Sequence, residues 1–230
     1  MLTLEKLVIE QGTFRLEADF EIAPGRIVAV LGASGAGKST LLDVIAGFFA
    51  PISGRVLWQG RDLAPLGPGA RPMSMLFQDN NLFPHLTVAQ NVGLGLRPDL
   101  KLSADERGAV EAALARVGLE GLGARRPAAL SGGQRSRVAL ARMLLRGRPL
   151  MLLDEPFSAL GPALKGGMLA LVAELAQETQ ATMLFVTHDP GDARRIADLT
   201  VLVAEGRAEA PRDTGALFAD PPPALRAYMG

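Results

Sequence analysis

Phe14, Leu16, Ala18, Phe20 and Ile22 alternate with Arg15, Glu17, Asp19 and Glu21. A period of two puts the apolar set on one face and the charged set on the other, which predicts a half-buried antiparallel strand. Pro24-Gly25 turns the chain, and Ile27 to Leu31 (IVAVL) is continuously apolar. That pattern belongs to a strand covered on both faces of a parallel sheet. Leu41, Leu42, Ile45 and Phe48 or Phe49 then recur at helical spacing until Gly47 and Pro51 stop the helix. Arg55 to Gln59 and Met73 to Phe77 read as further strands, separated by a Pro- and Gly-rich loop.

From residue 79 to residue 146 the strand runs vanish and helical spacing takes over. Ser103 followed by Glu106 is a capping box that opens a helix running to about Gly118. Leu150 to Leu153 and Thr182 to Val186 are apolar strands with a helix between them, from about Leu164 to Gln180. Strand, helix, strand implies parallel pairing and an α/β core. Thr200 to Val203 and Arg207 to Ala210 read as closing strands, followed by a short tail with a PPP run. The pattern divides the chain into a core of residues 1–78 and 147–230 and an inserted helical subdomain, 79–146.

Composition removes several classes of function. The 24 basic and 24 acidic residues balance, without the basic excess usual in a nucleic-acid binder. There are no cysteines, so no disulfides and no thiolate metal site. No apolar run approaches the roughly 20 residues of a membrane span, and MLTLEKLVIE lacks the features of a secretory signal. The expectation is a cytoplasmic chain whose membrane role, if any, comes through a partner.

Candidate chemistry begins where the IVAVL strand ends. Gly32-Ala33-Ser34-Gly35-Ala36-Gly37-Lys38-Ser39, with Thr40, fits G-x-x-x-x-G-K-[ST] at every fixed position. Glycines let the loop turn its N–H groups toward one centre, and the following helix aims its positive end there. Such a loop cradles a phosphate chain, with Lys38 reaching the β/γ-phosphates and Ser39 giving a hydroxyl to Mg²⁺. In PLMLLDEP, Asp154 and Glu155 follow an apolar strand, where open α/β sheets bind ligands. Beside a complete phosphate loop, Asp154 suits the metal and Glu155 suits a base that activates water. In LSGGQRSRVALARMLL, Ser131, Gly132, Gly133 and Gln134 open a second helix with bare N–H groups. Physical reasoning alone fits this equally to an ordinary serine-capped helix. His188 and Gln78 also follow strands; one can donate to a γ-phosphate and the other can touch the metal or the water, and either can equally be a structural side chain.

Taken together, these motifs resemble the nucleotide-binding subunits of ATP-binding cassette (ABC) transporters. The LSGGQ segment a short way before an apolar-DE strand carries most of that likeness. The resemblance implies a phosphate-loop NTPase (RecA-like) α/β core with a mostly parallel sheet, an N-terminal antiparallel β subdomain and an inserted helical subdomain. It implies ATP and Mg²⁺ as ligands. It also implies a homodimer in which each ATP lies between one chain's phosphate loop and the other chain's Ser131–Gln134 signature, with Gln78 and His188 at the hydrolytic site. The implied partners are transmembrane permease subunits and, indirectly, a periplasmic or extracellular solute-binding protein, with no nucleic acid. The implied place is the cytoplasmic face of the inner membrane. MLFQDNNLFPHLTVAQNVGLGL is similar in particular to the ATPases of bacterial thiamine importers. Other importers, exporters and soluble ABC ATPases of DNA repair or translation share the chemistry, but the last carry coiled coils, duplicated cassettes or basic arms that this sequence lacks. Two positions depart from the family pattern. Gln11 stands where an aromatic usually stacks on adenine, the nearest ring being Phe14 on the apolar face of its strand. Ser158-Ala159-Leu160-Gly161 ends in glycine where an acid usually couples the two sites.

Overall fold

The computed structural model describes residues 1–79, 81–158 and 160–229. Ala159, part of the loop singled out above, lies outside the described residues. The strands, in chain order, are β1 (Leu2–Gln11), β2 (Phe14–Ile22), β3 (Ile27–Leu31), β4 (Ser53–Trp58), β5 (Arg61–Asp62), β6 (Met73–Leu76), β7 (Leu150–Asp154), β8 (Thr182–Val186), β9 (Leu199–Ala204), β10 (Arg207–Ala208) and β11 (Arg212–Asp213). The α-helices are α1 (Lys38–Ala46), α2 (Val88–Gly93), α3 (Ala104–Arg116), α4 (Gly132–Arg146), α5 (Pro162–Glu178), α6 (Pro190–Ile196), α7 (Thr214–Ala219) and α8 (Pro223–Met229).

The parallel part runs β9-β3-β8-β7-β6, and each of these neighbours pairs in parallel. Its strands are buried on both faces, and their alternation sorts side chains into two cores. Ile27, Ala29 and Leu31 face one apolar cluster, shared with α4 and α5, while Val28 and Val30 face the other, shared with α1 and the N-terminal strands. Met151 and Leu153 against Leu150 and Leu152, and Met183 and Phe185 against Leu184 and Val186, repeat the division. Each of these side chains larger than alanine, taken fully out of water, contributes about 1.5–3 kcal/mol. This two-sided burial is what holds the ends of the parallel strands in one rigid row.

An antiparallel layer, β2-β1-β4-β5, extends the sheet, with β10 bridging from β9 to β2. The strand of period two at Phe14–Ile22 is there. The strand before it, β1, carries a hidden alternation. Its register shifts between Leu4 and Leu7, where Lys6 adopts φ 45° and donates its N–H to Asp19 Oδ1 at 3.1 Å. This bulge moves the phase by one residue, so Leu2, Leu4, Leu7 and Ile9 all reach the core.

Residues 81–146 contain three α-helices, each opened by a hydroxyl and glutamine or glutamate pair: Thr87 with Gln90, Ser103 with Glu106, Ser131 with Gln134. Two details differ from the sequence reading. α1 ends at Ala46, capped by Gly47 at φ 90° and by buried Arg71, whose Nη1 donates to the Val44 and Ile45 carbonyls at 2.9 and 2.6 Å. Phe48 and Phe49 therefore lie past the helix, about half exposed, instead of on its buried face. The tail, read from sequence only as a PPP run, forms α7 and α8, anchored by fully buried Leu225.

Candidate active site

Strand register brings four of the predicted segments to one edge. Val30 pairs with Val186, Asp154 with Val186, and Leu76 with Leu153. The loops that leave the carboxyl ends of β3, β8, β7 and β6 therefore emerge side by side, carrying the phosphate loop, His188, Asp154–Glu155 and Gln78 respectively.

The phosphate loop folds tightly because two of its glycines admit no side chain. A Cβ at Gly32 would sit 2.2 Å from the Val203 carbonyl oxygen, and one at Gly37, where φ is 96°, would sit 2.2 Å from Phe14 Cζ. Lys38 is buried, its Nζ donating to the Gly32 and Ala33 carbonyls at 2.8 and 2.9 Å. Burial lowers the affinity of this ammonium for its proton, against the opposing pull of Glu155 and Asp154. Ser39 Oγ donates to Asp154 Oδ1 at 2.8 Å, which ties the phosphate loop to β7. Burial raises the Asp154 carboxyl above its usual range; the Ser39 hydrogen bond opposes this and the Glu155 charge adds to it.

Glu155 adopts φ 41°, a left-handed conformation that a non-glycine residue keeps only when its surroundings hold it. Its N–H donates to the Val186 carbonyl at 3.3 Å, and its Oε2 lies 3.1 Å from His188 Nδ1. The two side chains that sequence reasoning placed on separate strands thus meet. Gln78 is exposed two residues past the end of β6, beside the same edge.

Ser131–Gln134 lies elsewhere. The Ser131 hydroxyl accepts from Gln134 N at 3.3 Å, and Gln134 Oε1 accepts from Ser131 N at 2.9 Å. Gly132 and Gly133 face Leu160 and Leu164. Among the described residues no hydrogen bond ties this exposed turn to the phosphate loop. One chain therefore offers two separate helix N-termini suited to anions, α1 and α4.

Sequence reasoning missed Phe14 as part of this site. Its ring was expected on the buried face, yet it is half-buried with its tip against Gly37. Its cross-strand partner is the exposed Gln11, as the two-residue turn at Gly12 requires. The signal was present in the hairpin: a ring at the first position of β2 lies at the strand's end, on the margin of the core rather than inside it.

A family model described as ABC transporter matches residues 16–158. The chain is 65% identical over 230 residues, the whole of both chains, to a protein named Thiamine import ATP-binding protein ThiQ from Cereibacter sphaeroides. Among solved structures, a chain titled as cbiO1 from Clostridium perfringens, part of the ABC transporter complex cbiONQ, superposes with a TM-score of 0.83 at 30% identity, covering 95% of this chain and 90% of that one. A second, titled as the dimeric, post-hydrolysis state of the ATP-binding cassette MJ0796 bound to ADP and Pi, gives 0.80 at 29% identity, covering 93% and 99%.

Proposed function

The chain belongs to the ABC transporter family, and on that premise we propose that it is the ATP-hydrolysing motor of a thiamine importer. The observation that carries the reading is the joined edge of the parallel sheet: Ser39 bonded to Asp154, and Glu155 against His188. Full-length likeness to a thiamine import ATP-binding protein supplies the solute class.

In this reading the phosphate loop, Gly32 to Thr40, encloses the triphosphate with its N–H groups. Lys38 exchanges the Gly32 and Ala33 carbonyls for β- and γ-phosphate oxygens, a change that its buried ammonium favours. Ser39 and Asp154 would hold Mg²⁺, assisted by Gln78. A hydroxyl and a carboxylate oxygen 2.8 Å apart form a hard-oxygen pair fit for that ion. Its charge would offset that of the phosphates. Glu155 takes a proton from the attacking water, and His188 donates to the γ-phosphate while its Nδ1 faces Glu155. The signature turn, Ser131 to Gln134, acts on the nucleotide of a second copy. That assignment gives the separate α4 terminus a ligand, and it agrees with the dimeric ABC cassette among the similar structures.

Residues 79–146 are read as the subdomain that carries this signature to the partner. The permease is proposed to cover Phe48, Phe49, Ile52 and Phe83, all about half exposed or more, with the Phe48 ring 5.8 Å from that of Phe77. Among the described residues no helix is long and apolar enough to cross a membrane. In this reading a permease holds the chain at the cytoplasmic face of the membrane, and a solute-binding protein delivers thiamine from the other side.

Uptake of labelled thiamine by cells that carry the Lys38→Ala variant as their only copy tests this reading. The expectation is loss of uptake. Undiminished uptake in cells that contain the variant and lack ATPase activity in this chain sinks it.

A further inference from the structure

Beneath the contact between Glu155 and His188, a second set of charges joins the same two loops. Lys165, on the first turn of α5, places Nζ 2.9 Å from Asp189 Oδ2 and 2.7 Å from Asp192 Oδ2. The Lys165 and Asp192 side chains are only 17% and 9% exposed, so this is no loose surface pair. Asp192 also accepts from Thr187 Oγ1 at 2.6 Å, and the same hydroxyl accepts from the Asp189 N–H at 3.0 Å. Residues on both sides of His188 are thereby fixed to one ammonium. On the other side, Lys165 N donates to the Gly161 carbonyl at 2.9 Å, and Gly161 ends the loop that leaves Glu155.

A cavity of about 20 Å³, room for a single water, is lined by Glu155, Phe157, Lys165, Thr187, His188 and Asp192. The contacting pair Glu155 and His188 and the groups that tether the His188 loop thus share one small gap. The charge pattern agrees. Burial pulls the Lys165 ammonium down, but hydrogen bonds to Asp192 and Asp189 outweigh it and hold the group above its usual value. The bond from Lys165 is the main cause that keeps the Asp189 carboxyl below its own.

We propose that Lys165 is a positioning residue for hydrolysis: through Asp189 and Asp192 it sets the His188 loop at a fixed offset from Glu155, so that the imidazole and carboxylate meet at the γ-phosphate. The proposal rests on the reading of Glu155 and His188 given above.

The test uses the full-length chain and measures ATP turnover, ATP affinity and thermal stability for Lys165→Met, Lys165→Arg, Asp189→Asn and Glu155→Gln. Lys165→Met is expected to bind ATP within about twofold of the parent, leave KM unchanged and lose at least about tenfold in kcat per folded molecule. Lys165→Arg, which keeps a cation in reach of both acids, recovers most of that loss. Asp189→Asn keeps an N-cap for α6 but loses one charged arm, and gives a smaller fall in kcat. A purely structural lysine predicts a lower Tm with undiminished kcat per folded molecule, and that result overturns the proposal. If Lys165→Met does not fold, Asp189→Asn decides: parental kcat in it overturns the proposal as well. Glu155→Gln separates the two levels. If it turns over normally, the reading of the site has failed; if it is inactive while Lys165→Met is within twofold of the parent, only the role of Lys165 has.

Discussion

The Ser39 hydroxyl donates to Asp154 Oδ1 across 2.8 Å, although 115 residues separate them in the chain. This bond ties the phosphate loop to β7, while burial beside Glu155 still holds the Asp154 carboxyl above its usual range. An acid whose folded-state affinity for protons is raised favours the folded state at low pH and opposes it as pH climbs through the carboxylate range. Asp154→Asn should therefore raise the Tm of the nucleotide-free chain at neutral pH, with an advantage that shrinks as pH falls toward and below that range. Mg²⁺-dependent strengthening of ATP binding should be lost in the same variant. Parallel melting curves at several pH values check the first point, and calorimetric titration with and without Mg²⁺ checks the second. An advantage that grows on acidification contradicts the sign.

Glu155 faces His188 at 3.1 Å and is held at φ 41°. Its replacement by Gln keeps size and backbone but removes the proposed base. Turnover should fall about 10²–10⁴-fold, the usual share of general-base catalysis, while ATP binding persists. The variant should accumulate as an ATP-bound dimer on size-exclusion chromatography. Phosphate release near the parental rate contradicts the assignment.

Gln11 and Phe14 pair across the first hairpin, and only Phe14 reaches the phosphate loop. A ring at Gln11 adds a stacking surface worth about 0.5–1.5 kcal/mol. Gln11→Tyr should then tighten ATP binding by roughly 2- to 12-fold, and GTP should compete less well against it than against the parent. Unchanged affinity in Gln11→Tyr, with weaker binding in Phe14→Ala, identifies Phe14 as the ring that already serves the base.

Ser131 is exposed, and among the described residues its side chain bonds within its own capping box and not to Lys38. Activity per chain should rise with protein concentration until dimers dominate. Mixing Ser131→Arg chains with Lys38→Ala chains should restore one competent site per mixed dimer, since each variant spoils a different half. A rate strictly proportional to concentration at every dilution, with no recovery in the mixture, means the chain acts alone.

Gly161 caps α5 without a side-chain bond, at φ −62° and ψ 156°, and a Cβ there would meet nothing within 4 Å. Gly161→Asp therefore fits without strain and supplies the missing cap, a gain of about a few tenths of a kcal/mol and about 1 °C in Tm. It also restores an acid to the loop between Glu155 and α5. The Hill coefficient for ATP should rise in the variant; an unchanged coefficient with the expected Tm gain assigns the residue to capping alone.

Much of this protein was written in local pattern. Continuous apolar runs marked β3, β7 and β8, because a strand covered on both faces tolerates no polar phase. The phosphate loop, the DE pair and the signature were legible because their chemistry is carried by residues adjacent in the chain, and a helix terminus or tight turn needs only local residues to form. What depended on distant pairing was not legible. The bulge at Lys6 hid the alternation of β1, since a one-residue insertion inverts the period that betrays a strand. Phe48 and Phe49 fit the helical spacing of α1 until Gly47 and Arg71, from 24 residues further on, closed the helix before them. Sheet order decided that Asp154 meets Ser39 and Glu155 meets His188, because parallel register sets which loops emerge as neighbours, and no local signal encodes it. Packing of α5 against the loop after β8 likewise brought Lys165 onto Asp189 and Asp192, an anchor that no local pattern announces.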